Sequence, residues 1–447
     1  MIPGLELARE VAVIGLGRSG AAATRLLRSA GAIVYASDGG QSESLEATAS
    51  ELRALGADVE TGGHDLDRIG RAGLAVLSPG VPPDAPPVVA ARSHEVPVWA
   101  EAELGLRALH PAEYAAITGT NGKTTTTALV GHLLVAAGRR ARTAGNIGTP
   151  LSQLALSDDR PDVLAVELSS FQLHDMPSLA PSVGVLTNLA PDHLDRYATL
   201  DEYYRDKMRL FLNATLESRW ITNADDETSA RWVGDMPGRR YQFSLIGPAD
   251  AWYDRAANLL RLGEAALLDR DRLPLLGDHN VANALAAALA VAALGVPIEV
   301  IGQGLETVAA LPHRMEPVSE TGGVLWINDS KATNLSSTDV AVRAMARPYI
   351  LLLGGRHKGE SYARLAPLLT GCRAVIAYGE AKPIILRDLS GAVRLVEGGT
   401  FAEVVAAARS LARVGDAVLL SPACSSYDMF PNYEVRGATF RHLVEAM

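Results

Sequence analysis

Short apolar runs that end in glycine or polar residues recur along the whole chain and alternate with stretches of helical hydrophobic spacing. This alternation predicts doubly wound, largely parallel α/β sheets. The runs are VAVIGLG, AIVYASD, LAVLSPG, AAITGT, VLAVELSS, SVGVLTN, LWINDS, YILLLGG, AVIAYGE and AVLLSPACSS. In open sheets of this kind ligands bind beyond the carboxyl ends of the strands, so polar side chains near those ends are candidate site residues. They are Glu167, Asn188, Asp192, Asp329 and Ser421.

The length of 447 residues exceeds what one hydrophobic core usually supports, so several domains are expected. Breaks in the α/β alternation at 96–114 and 304–318 predict three domains, at 1–102, 103–310 and 311–447. The first and third have the pattern of Rossmann-like domains, and the middle one that of a P-loop-type ATPase domain.

Composition excludes several classes of protein. The formal net charge of -10, without a Lys/Arg run, argues against a nucleic-acid-binding surface. Cys372 and Cys424 are too few for a disulfide framework and lack metal-site spacing, which indicates a reducing compartment. The N-terminus has no signal-peptide pattern, and the Ala-rich stretch 281–298 is interrupted by Asn283 and Gly295, so we read it as a buried helix. We therefore expect a cytoplasmic protein that does not contact membranes.

The stretch AAITGTNGKTTTTALV (115–130) combines a strand pattern, a glycine-rich turn and a lysine at the start of a helix pattern. Gly119 and Gly122 permit a tight turn with exposed N–H groups, Lys123 could neutralise phosphate charge, and Thr124 could offer a hydroxyl to Mg²⁺. The usual P-loop pattern has glycine where this chain has Ile117. On these residues alone, a purely structural glycine turn remains an alternative to phosphate binding.

A second glycine motif lies near the N-terminus. Gly15, Gly17 and Gly20 have G-x-G-x-x-G spacing, and Asp38 follows 18 residues after Gly20. NAD(P), a UDP-sugar or another nucleotide would each suit a pyrophosphate at a helix N-terminus and an acid near a ribose or base. An oxidoreductase is one interpretation. A chain with two nucleotide sites also suits an ATP-dependent ligase, with one nucleotide as substrate handle and the other as energy source.

The segment GTNGKTTT resembles the ATP loop of the Mur ligase and folylpolyglutamate synthetase superfamily, whose loop also lacks the first P-loop glycine. Further matches follow in order over nearly the whole chain: GNIGTP, ELSSFQL, NLAPDHLDRY, DKMRLF, DHNVANALAA, LPHRME, INDSKATN and SPACSSYDMFPNYEVRG. Three segments, GLGRSG, DSKATN and SPACSSYDMF, are similar to the branch of Mur ligases that adds D-glutamate to UDP-N-acetylmuramoyl-L-alanine. Sister Mur ligases, folylpolyglutamate synthetase and a nucleotide sensor on this scaffold are the alternatives.

The resemblance implies that ATP phosphorylates the carboxylate of the nucleotide substrate and that the amine of D-glutamate then attacks the acyl phosphate. It implies that 1–102 binds the UDP substrate, 103–310 binds ATP, and 311–447 completes the ATP and amino-acid sites. The implied cofactors are ATP and two Mg²⁺ ions, and we expect a monomer. The implied ATP-binding residues are Gly119, Thr120, Asn121, Gly122, Lys123, Thr124, Thr125, Asn283, Arg314, Asp329 and Lys331.

The implied metal ligands are Thr124, Glu167, His193 and Lys207, and the implied catalytic residues are Lys123, His193, Lys207 and Arg314. Without the resemblance, His193 would be a helix cap or core residue, and Lys207 a solvated charge on an amphipathic helix. In this family the matching lysine is carbamylated, which makes it an anionic ligand. Because attack on CO₂ requires the neutral amine, we expect the site to lower the pKa of Lys207.

The implied UDP-substrate ligands are Gly17, Ser19, Asp38, Ser78, Gly80, Asn146 and Gln172, and those of D-glutamate are Thr333, Lys358, Ser426 and Tyr433. One departure from the family pattern falls in GGRHKGE, where Arg356 and His357 stand in place of the acid that often precedes the lysine. The partner of Lys358 is therefore left open by the resemblance.

Overall fold

The structure is a computed structural model that describes residues 2–192 and 196–447. The chain forms two compact units. The first comprises Met1–Arg272 and Ala282–Glu306, and the second Leu273–Val281 and Thr307–Met447. Each of the three predicted domains contains one sheet, whereas the compact units number two. The exact domain boundaries stay a prediction.

The first unit begins with a five-stranded parallel sheet of strand order β3-β2-β1-β4-β5. From β1 the chain adds β2 and β3 on one side of the sheet, and then β4 and β5 on the other side. The strand order therefore reverses between β1 and β4, and the crevice above these two strands is where a Rossmann-like sheet binds its ligand. The strands are β1 (Val11–Ile14), β2 (Val34–Asp38), β3 (Asp58–Thr61), β4 (Leu74–Leu77) and β5 (Val98–Ala100). The helices are α1 (Arg18–Ser29), α2 (Glu43–Ala54), α3 (Leu66–Arg71), α4 (Pro86–Ser93) and α5 (Glu101–Leu109).

The same unit contains a nine-stranded sheet of order β14-β13-β12-β11-β10-β9-β6-β8-β7, which is parallel except where β13 pairs with its two neighbours. Its strands are β6 (Glu113–Thr118), β7 (Ala141–Gly145), β8 (Val163–Glu167), β9 (Val183–Leu186), β10 (Arg219–Asn223), β11 (Arg239–Ser244), β12 (Ala251–Asp254), β13 (Leu259–Leu262) and β14 (Ala265–Asp269). The helices are α6 (Lys123–Ala136), α7 (Leu151–Ala155), α8 (Ser170–His174), α9 (Leu200–Met208), α10 (Glu227–Val233), α11 (Asp278–Ala293) and α12 (Ile298–Glu306), with 3-10 turns at Arg209–Phe211 and Arg270–Arg272. The first turn of α11, up to Val281, belongs to the second unit.

The second unit is built on a six-stranded sheet of order β15-β16-β20-β17-β18-β19, in which only the β15–β16 pair is antiparallel. The strands are β15 (Glu316–Thr321), β16 (Val324–Asn328), β17 (Tyr349–Gly354), β18 (Cys372–Tyr378), β19 (Leu395–Glu397) and β20 (Ala417–Leu420). The helices are α13 (Leu335–Arg343), α14 (Lys382–Asp388), α15 (Phe401–Leu411) and α16 (Tyr433–Glu445), with a 3-10 helix at Tyr362–Leu368.

The central strands of these sheets are buried on both faces. In β17, Leu351 and Leu353 pack into one hydrophobic cluster, while Ile350 and Leu352 pack into another. This two-sided burial explains why such strands read as continuous apolar runs. Each of the ten apolar runs that were predicted to be strands contains a strand of the structure, which confirms the predicted α/β class. No helix in the described part of the chain is both long and apolar enough to cross a membrane.

Candidate functional site

The loop between β6 and α6 has the geometry of an anion-binding turn. Gly119 and Gly122 have φ of 142° and 81°. A Cβ at Gly119 would lie 2.0 Å from Thr187 Oγ1, and one at Gly122 would lie 2.3 Å from Asn283 Oδ1. Helix α6 begins at Lys123 with no acidic residue in its first turn, so its N-terminus favours a bound anion. The half-buried Thr124 and Thr125 belong to that turn.

Asn188, just beyond β9, holds this loop in place. Its carbonyl accepts a hydrogen bond from Thr120 N at 2.9 Å, and its Oδ1 accepts one from Asn121 N at 2.9 Å. Its Nδ2 in turn donates to Asn121 O at 3.1 Å. The loop is therefore fixed by a side chain from a neighbouring strand end.

The side-chain nitrogens of two lysines meet at one carbonyl oxygen of this loop. Lys123 Nζ donates to Gly119 O at 2.9 Å and to Thr120 O at 2.8 Å. Lys207 Nζ donates to the same Gly119 O at 2.6 Å and lies 4.7 Å from the centre of the Tyr203 ring. The Lys207 residue is only 1% exposed, so the alternative of a solvated surface charge is wrong.

This environment disfavours a charged amine at Lys207. Burial lowers the pKa of Lys207 well below its ordinary value, and the charge of Lys123 lowers it further. The carboxylates of Asp192, Glu167 and Asp206 act in the opposite direction but do not reverse the shift. The expected depression of this pKa is confirmed.

Glu167 ends β8 and offers a buried oxygen for a cation. Its Oε1 accepts from Asn146 Nδ2 at 2.9 Å, and its Oε2 has no hydrogen-bond partner within residues 2–192 and 196–447. A buried carboxylate oxygen of this kind fits the oxygen ligands that Mg²⁺ prefers. His193, the other predicted ligand, lies outside the residues that the structure describes.

A cavity of about 610 Å³ lies above the carboxyl ends of β1 and β4. Six of the seven predicted UDP-substrate residues line it: Gly17, Ser19, Asp38, Ser78, Gly80 and Asn146. The carboxylate of Asp38 also shapes the glycine motif, because Oδ2 accepts from Leu16 N at 2.7 Å and Oδ1 from Gly40 N at 2.8 Å. The structure thus gathers residues from both sheets of the first unit around one nucleotide-sized space.

Gln172, the seventh predicted residue, lines an adjoining cavity of about 370 Å³ that shares Ser78 and Pro79 with the first. Its Oε1 accepts from Ser169 N at 3.0 Å and completes the capping box at the start of α8. The Gln172 Nε2 donor is buried and has no partner among the described residues. An oxygen acceptor on a ligand would satisfy it.

In the second unit, Asp329 lies directly after β16 and accepts hydrogen bonds from Ser421 Oγ at 2.8 Å and Met315 N at 3.2 Å. Burial raises the pKa of Asp329 to about 7, against the opposing influence of these bonds and of the Arg314 and Arg436 charges. The structure therefore places the predicted ATP contacts Arg314 and Asp329 in one electrostatic environment.

Lys331 and Tyr433, predicted to contact ATP and D-glutamate respectively, are direct neighbours. Lys331 Nζ donates to Tyr433 Oη at 3.1 Å and lies 4.9 Å from the centre of its ring. Thr333 is half-buried close by along the chain, where its N–H donates to Lys331 O at 2.8 Å. The structure brings these three predicted residues together.

Lys358 and Ser426, the remaining predicted D-glutamate residues, lie on adjacent loops. Lys358 is exposed in the loop after β17, and Ser426 is buried in the loop after β20. The two loops are joined by an antiparallel bridge in which Arg356 N donates to Ser425 O at 2.9 Å. Arg356 itself points to Glu380, with 3.2 Å between Nε and Oε2.

Known families account for most of the chain. Residues 9–100 match the Mur ligase MurD-like N-terminal domain, 117–291 the Mur ligase middle domain, and 313–424 the Mur ligase glutamate ligase domain. The chain is 41% identical to a protein of Myxococcus xanthus named UDP-N-acetylmuramoylalanine--D-glutamate ligase, over 98% of both chains. It is 41% identical to a protein of that name from Acidobacterium capsulatum, over 98% of this chain and 96% of the relative. The chain belongs to the Mur ligase family.

Solved structures of the family share the fold. The UDP-N-acetylmuramate-alanine ligase MurC of Thermotoga maritima superposes with a TM-score of 0.60 at 20% identity, covering 98% of this chain and 99% of that one. A pseudomurein peptide ligase type C from Methanothermus fervidus gives a TM-score of 0.58 at 20% identity with the same coverage. The three-domain α/β architecture of Mur ligases is thus that of this chain.

Several residues at this Mur ligase site were not identified from the sequence. His64 lines the cavity above β1 and β4, and its Nδ1 lies 2.9 Å from Ser37 Oγ. It follows β3, which was not predicted as a strand because acidic residues alternate along it and it is not an apolar run. Arg436 is fully buried, and its guanidinium donates to the carbonyls of Ser330 and Cys424. The sequence pointed to Arg436 only through its position in SPACSSYDMFPNYEVRG, one of the segments that resemble the family.

Proposed function

We propose that this Mur ligase adds D-glutamate to UDP-N-acetylmuramoyl-L-alanine at the expense of ATP, in the synthesis of peptidoglycan precursors. The near-complete overlap with ligases of that name carries the proposal, because it includes both predicted nucleotide sites and the second unit. The nucleotide cavity, the phosphate loop and the buried Glu167 supply the separate parts that such a reaction needs.

The proposed reaction has two steps. The terminal carboxylate of the nucleotide substrate takes the γ-phosphoryl group of ATP, and ADP leaves. The amine of D-glutamate then attacks the acyl carbon, the bond to phosphate breaks, and the amine loses a proton as the amide forms. The protein acts mainly by positioning and by charge neutralisation, in which Lys123 and Arg314 supply cationic groups.

The metal site is proposed to use Thr124, Glu167, His193 and Lys207 for two Mg²⁺ ions, which would neutralise phosphate charge when bound. The residues proposed to bind ATP are Gly119, Thr120, Asn121, Gly122, Thr125, Asn283, Arg314, Asp329 and Lys331. The uridine diphosphate group is assigned to the larger cavity, and the muramoyl-alanine portion to Asn146 and Gln172.

Lys207 is proposed to be carbamylated. The shared Gly119 carbonyl places its amine beside the Lys123 ammonium in a buried site, where a second cation is disfavoured. A carbamate would replace that cation with anionic oxygens beside a buried carboxylate, a combination that suits divalent cations. It would also convert the repulsion between the two lysines into attraction.

The Lys207→Ala variant is expected to lose activity by roughly 10²-fold or more, because it removes a charged group from the site of phosphoryl transfer. After equilibration with ¹³C-bicarbonate, wild-type protein should show a carbamate carbon signal by NMR that the variant lacks. The exposed Asp201→Asn change on the same helix serves as control. Near-normal turnover by Lys207→Ala would refute this role.

The D-glutamate pocket is proposed to consist of Thr333, Lys358, Ser426 and Tyr433, because a dicarboxylate needs cationic and hydroxyl groups. The lack of a basic run, the cysteine content and the substrates together support a cytoplasmic protein that binds small molecules rather than nucleic acid or membranes. We propose that it acts as a monomer.

The function is tested by incubating the protein with ATP, Mg²⁺ and UDP-N-acetylmuramoyl-L-alanine and measuring ADP release with different amino acids. Release that requires both the nucleotide substrate and D-glutamate is expected. L-glutamate, L-lysine and meso-diaminopimelate serve as comparisons. Release with one of these instead, or only with a folate substrate, would keep the ATP chemistry and overturn the substrate assignment.

A further inference from the structure

The loop that carries Lys358 is held tightly against the loop that carries Ser426. It begins with Gly355, whose φ is 132°, and passes through Gly359, whose φ is 90°. A Cβ at Gly355 would lie 2.3 Å from Ser425 O. Together with the bridge between Arg356 and Ser425, this contact fixes the start of the loop but does not involve the residue that directly precedes Lys358.

That residue, His357, begins a chain of side-chain contacts that leads back to the second loop. Its Nδ1 lies 3.2 Å from Tyr362 Oη, and the same hydroxyl lies 2.9 Å from Cys424 Sγ. Tyr362 and Cys424 are 1% and 0% exposed, whereas His357 is half-buried. These side-chain contacts therefore connect His357, which directly precedes Lys358, to Cys424, which lies two positions before Ser426.

The protons on these groups allow a continuous series of hydrogen bonds from His357 to Cys424. Burial raises the pKa of the Cys424 thiol to about 11 and raises that of the Tyr362 hydroxyl as well, so both keep their protons at neutral pH. In one arrangement the thiol donates to Tyr362 Oη and the hydroxyl donates to His357 Nδ1; in the other, His357 Nδ1–H donates to Tyr362 Oη and the hydroxyl donates to Cys424 Sγ. In both arrangements the Tyr362 hydroxyl connects His357 to Cys424.

The other charged groups around the loop have separate partners. Arg356 pairs with Glu380, and Glu360 pairs with Arg364 at 2.9 Å. Asp388 accepts from Tyr362 N at 3.0 Å and from the neighbouring Ser361 hydroxyl. None of these contacts involves Tyr362 Oη, so none of them replaces the hydrogen bond between His357 and this hydroxyl.

We propose that His357 is a positioning residue for D-glutamate binding. Its bond to Tyr362 holds the backbone before Lys358 in register with the Ser426 loop, so that the ammonium and the hydroxyl face the same carboxylate-binding space. This inference rests on the proposed function, since it assigns a support to the proposed D-glutamate pocket. It also gives a role to a residue at which the chain departs from the pattern of its family.

The test compares variants at His357 under saturating ATP and nucleotide substrate. Asn places a polar atom near the position of Nδ1, whereas Leu does not. His357→Leu and Tyr362→Phe should each raise KM for D-glutamate by about tenfold, the effect of losing one hydrogen bond. KM for ATP and for the nucleotide substrate should stay within about twofold, and His357→Asn should retain most of the wild-type KM. The exposed Arg364→Ala variant, on the same 3-10 helix as Tyr362, is the matched control.

The double variant His357→Leu/Tyr362→Phe should bind D-glutamate no worse than either single variant, because both remove the same interaction. An unchanged KM for D-glutamate in His357→Leu would overturn the inference, as would equal losses for all three substrates or a His357→Asn variant as impaired as Leu. Failure of the proposed function would look different, because wild-type protein would then show no turnover that depends on D-glutamate.

Discussion

At the residue scale, Asp329 shows how a site residue can oppose stability. Its carboxyl group is buried beside Ser421 and Met315, and burial raises its pKa to about 7 from an unfolded-state value of about 3.9. At a pH between these two pKa values, the Asp329 carboxyl group is deprotonated in the unfolded chain and protonated in the folded chain. Stability from this group is therefore greatest at low pH and falls as pH rises toward 7, by at most about 1.4 kcal/mol per pH unit.

The Asp329→Asn variant should remove this dependence. The amide oxygen can accept from Met315 N, and the amide N–H can donate to Ser421 Oγ when that hydroxyl donates to Thr338 Oγ1 instead of to residue 329, so the two proteins should be almost equally stable at pH 5. At pH 8 the variant should have the higher Tm, measured by calorimetry across that range, while ATP binding should weaken. A difference in Tm that stays constant with pH would contradict the assigned titration.

At the element scale, the close approach of α1 to the end of β1 depends on Gly20. A Cβ there would lie 1.7 Å from Gly15 O and 2.7 Å from Ser78 Oγ, which already donates to that carbonyl. Gly20→Ala should therefore destabilise the first unit by about 3 kcal/mol or more. Gly17→Ala, in the same motif but with open space around it, should cost less than about 1 kcal/mol. Denaturant unfolding of both variants measures the contrast, and equal losses would show that packing at Gly20 is not the cause.

The elements also show what sequence patterns can detect. Strands buried on both faces, such as β17, appear as apolar runs and were predicted. Strands with mixed patterns were not, among them β3 (DVET), β13 (LLRL) and β19 (LVE), which lie at or near sheet edges. Half-exposed strands need fewer apolar residues, so their pattern resembles that of a loop.

At the scale of the whole molecule, motif order along the chain predicted the family, and strand-end positions predicted where Glu167, Asn188 and Asp329 would lie. The sequence could not show that Lys207 and Lys123 share one carbonyl oxygen, since the contact of Lys207 with Gly119 spans 88 residues and depends on how α9 packs. Nor could it show the contact of Tyr362 with Cys424, because tertiary packing alone brings those residues together.

The first unit contains both proposed nucleotide sites, and their ligands should be distinguishable by hydrogen exchange. The larger cavity borders the first turn of α1, whose N–H groups have no partner within the helix. UDP should therefore slow exchange around residues 15–19, 38–39 and 78–81, and leave the loop 119–124 unchanged. ADP with Mg²⁺ should have the converse effect, because its phosphates suit the turn before α6. Protection of 119–124 by UDP alone would mean that the two nucleotide assignments are reversed.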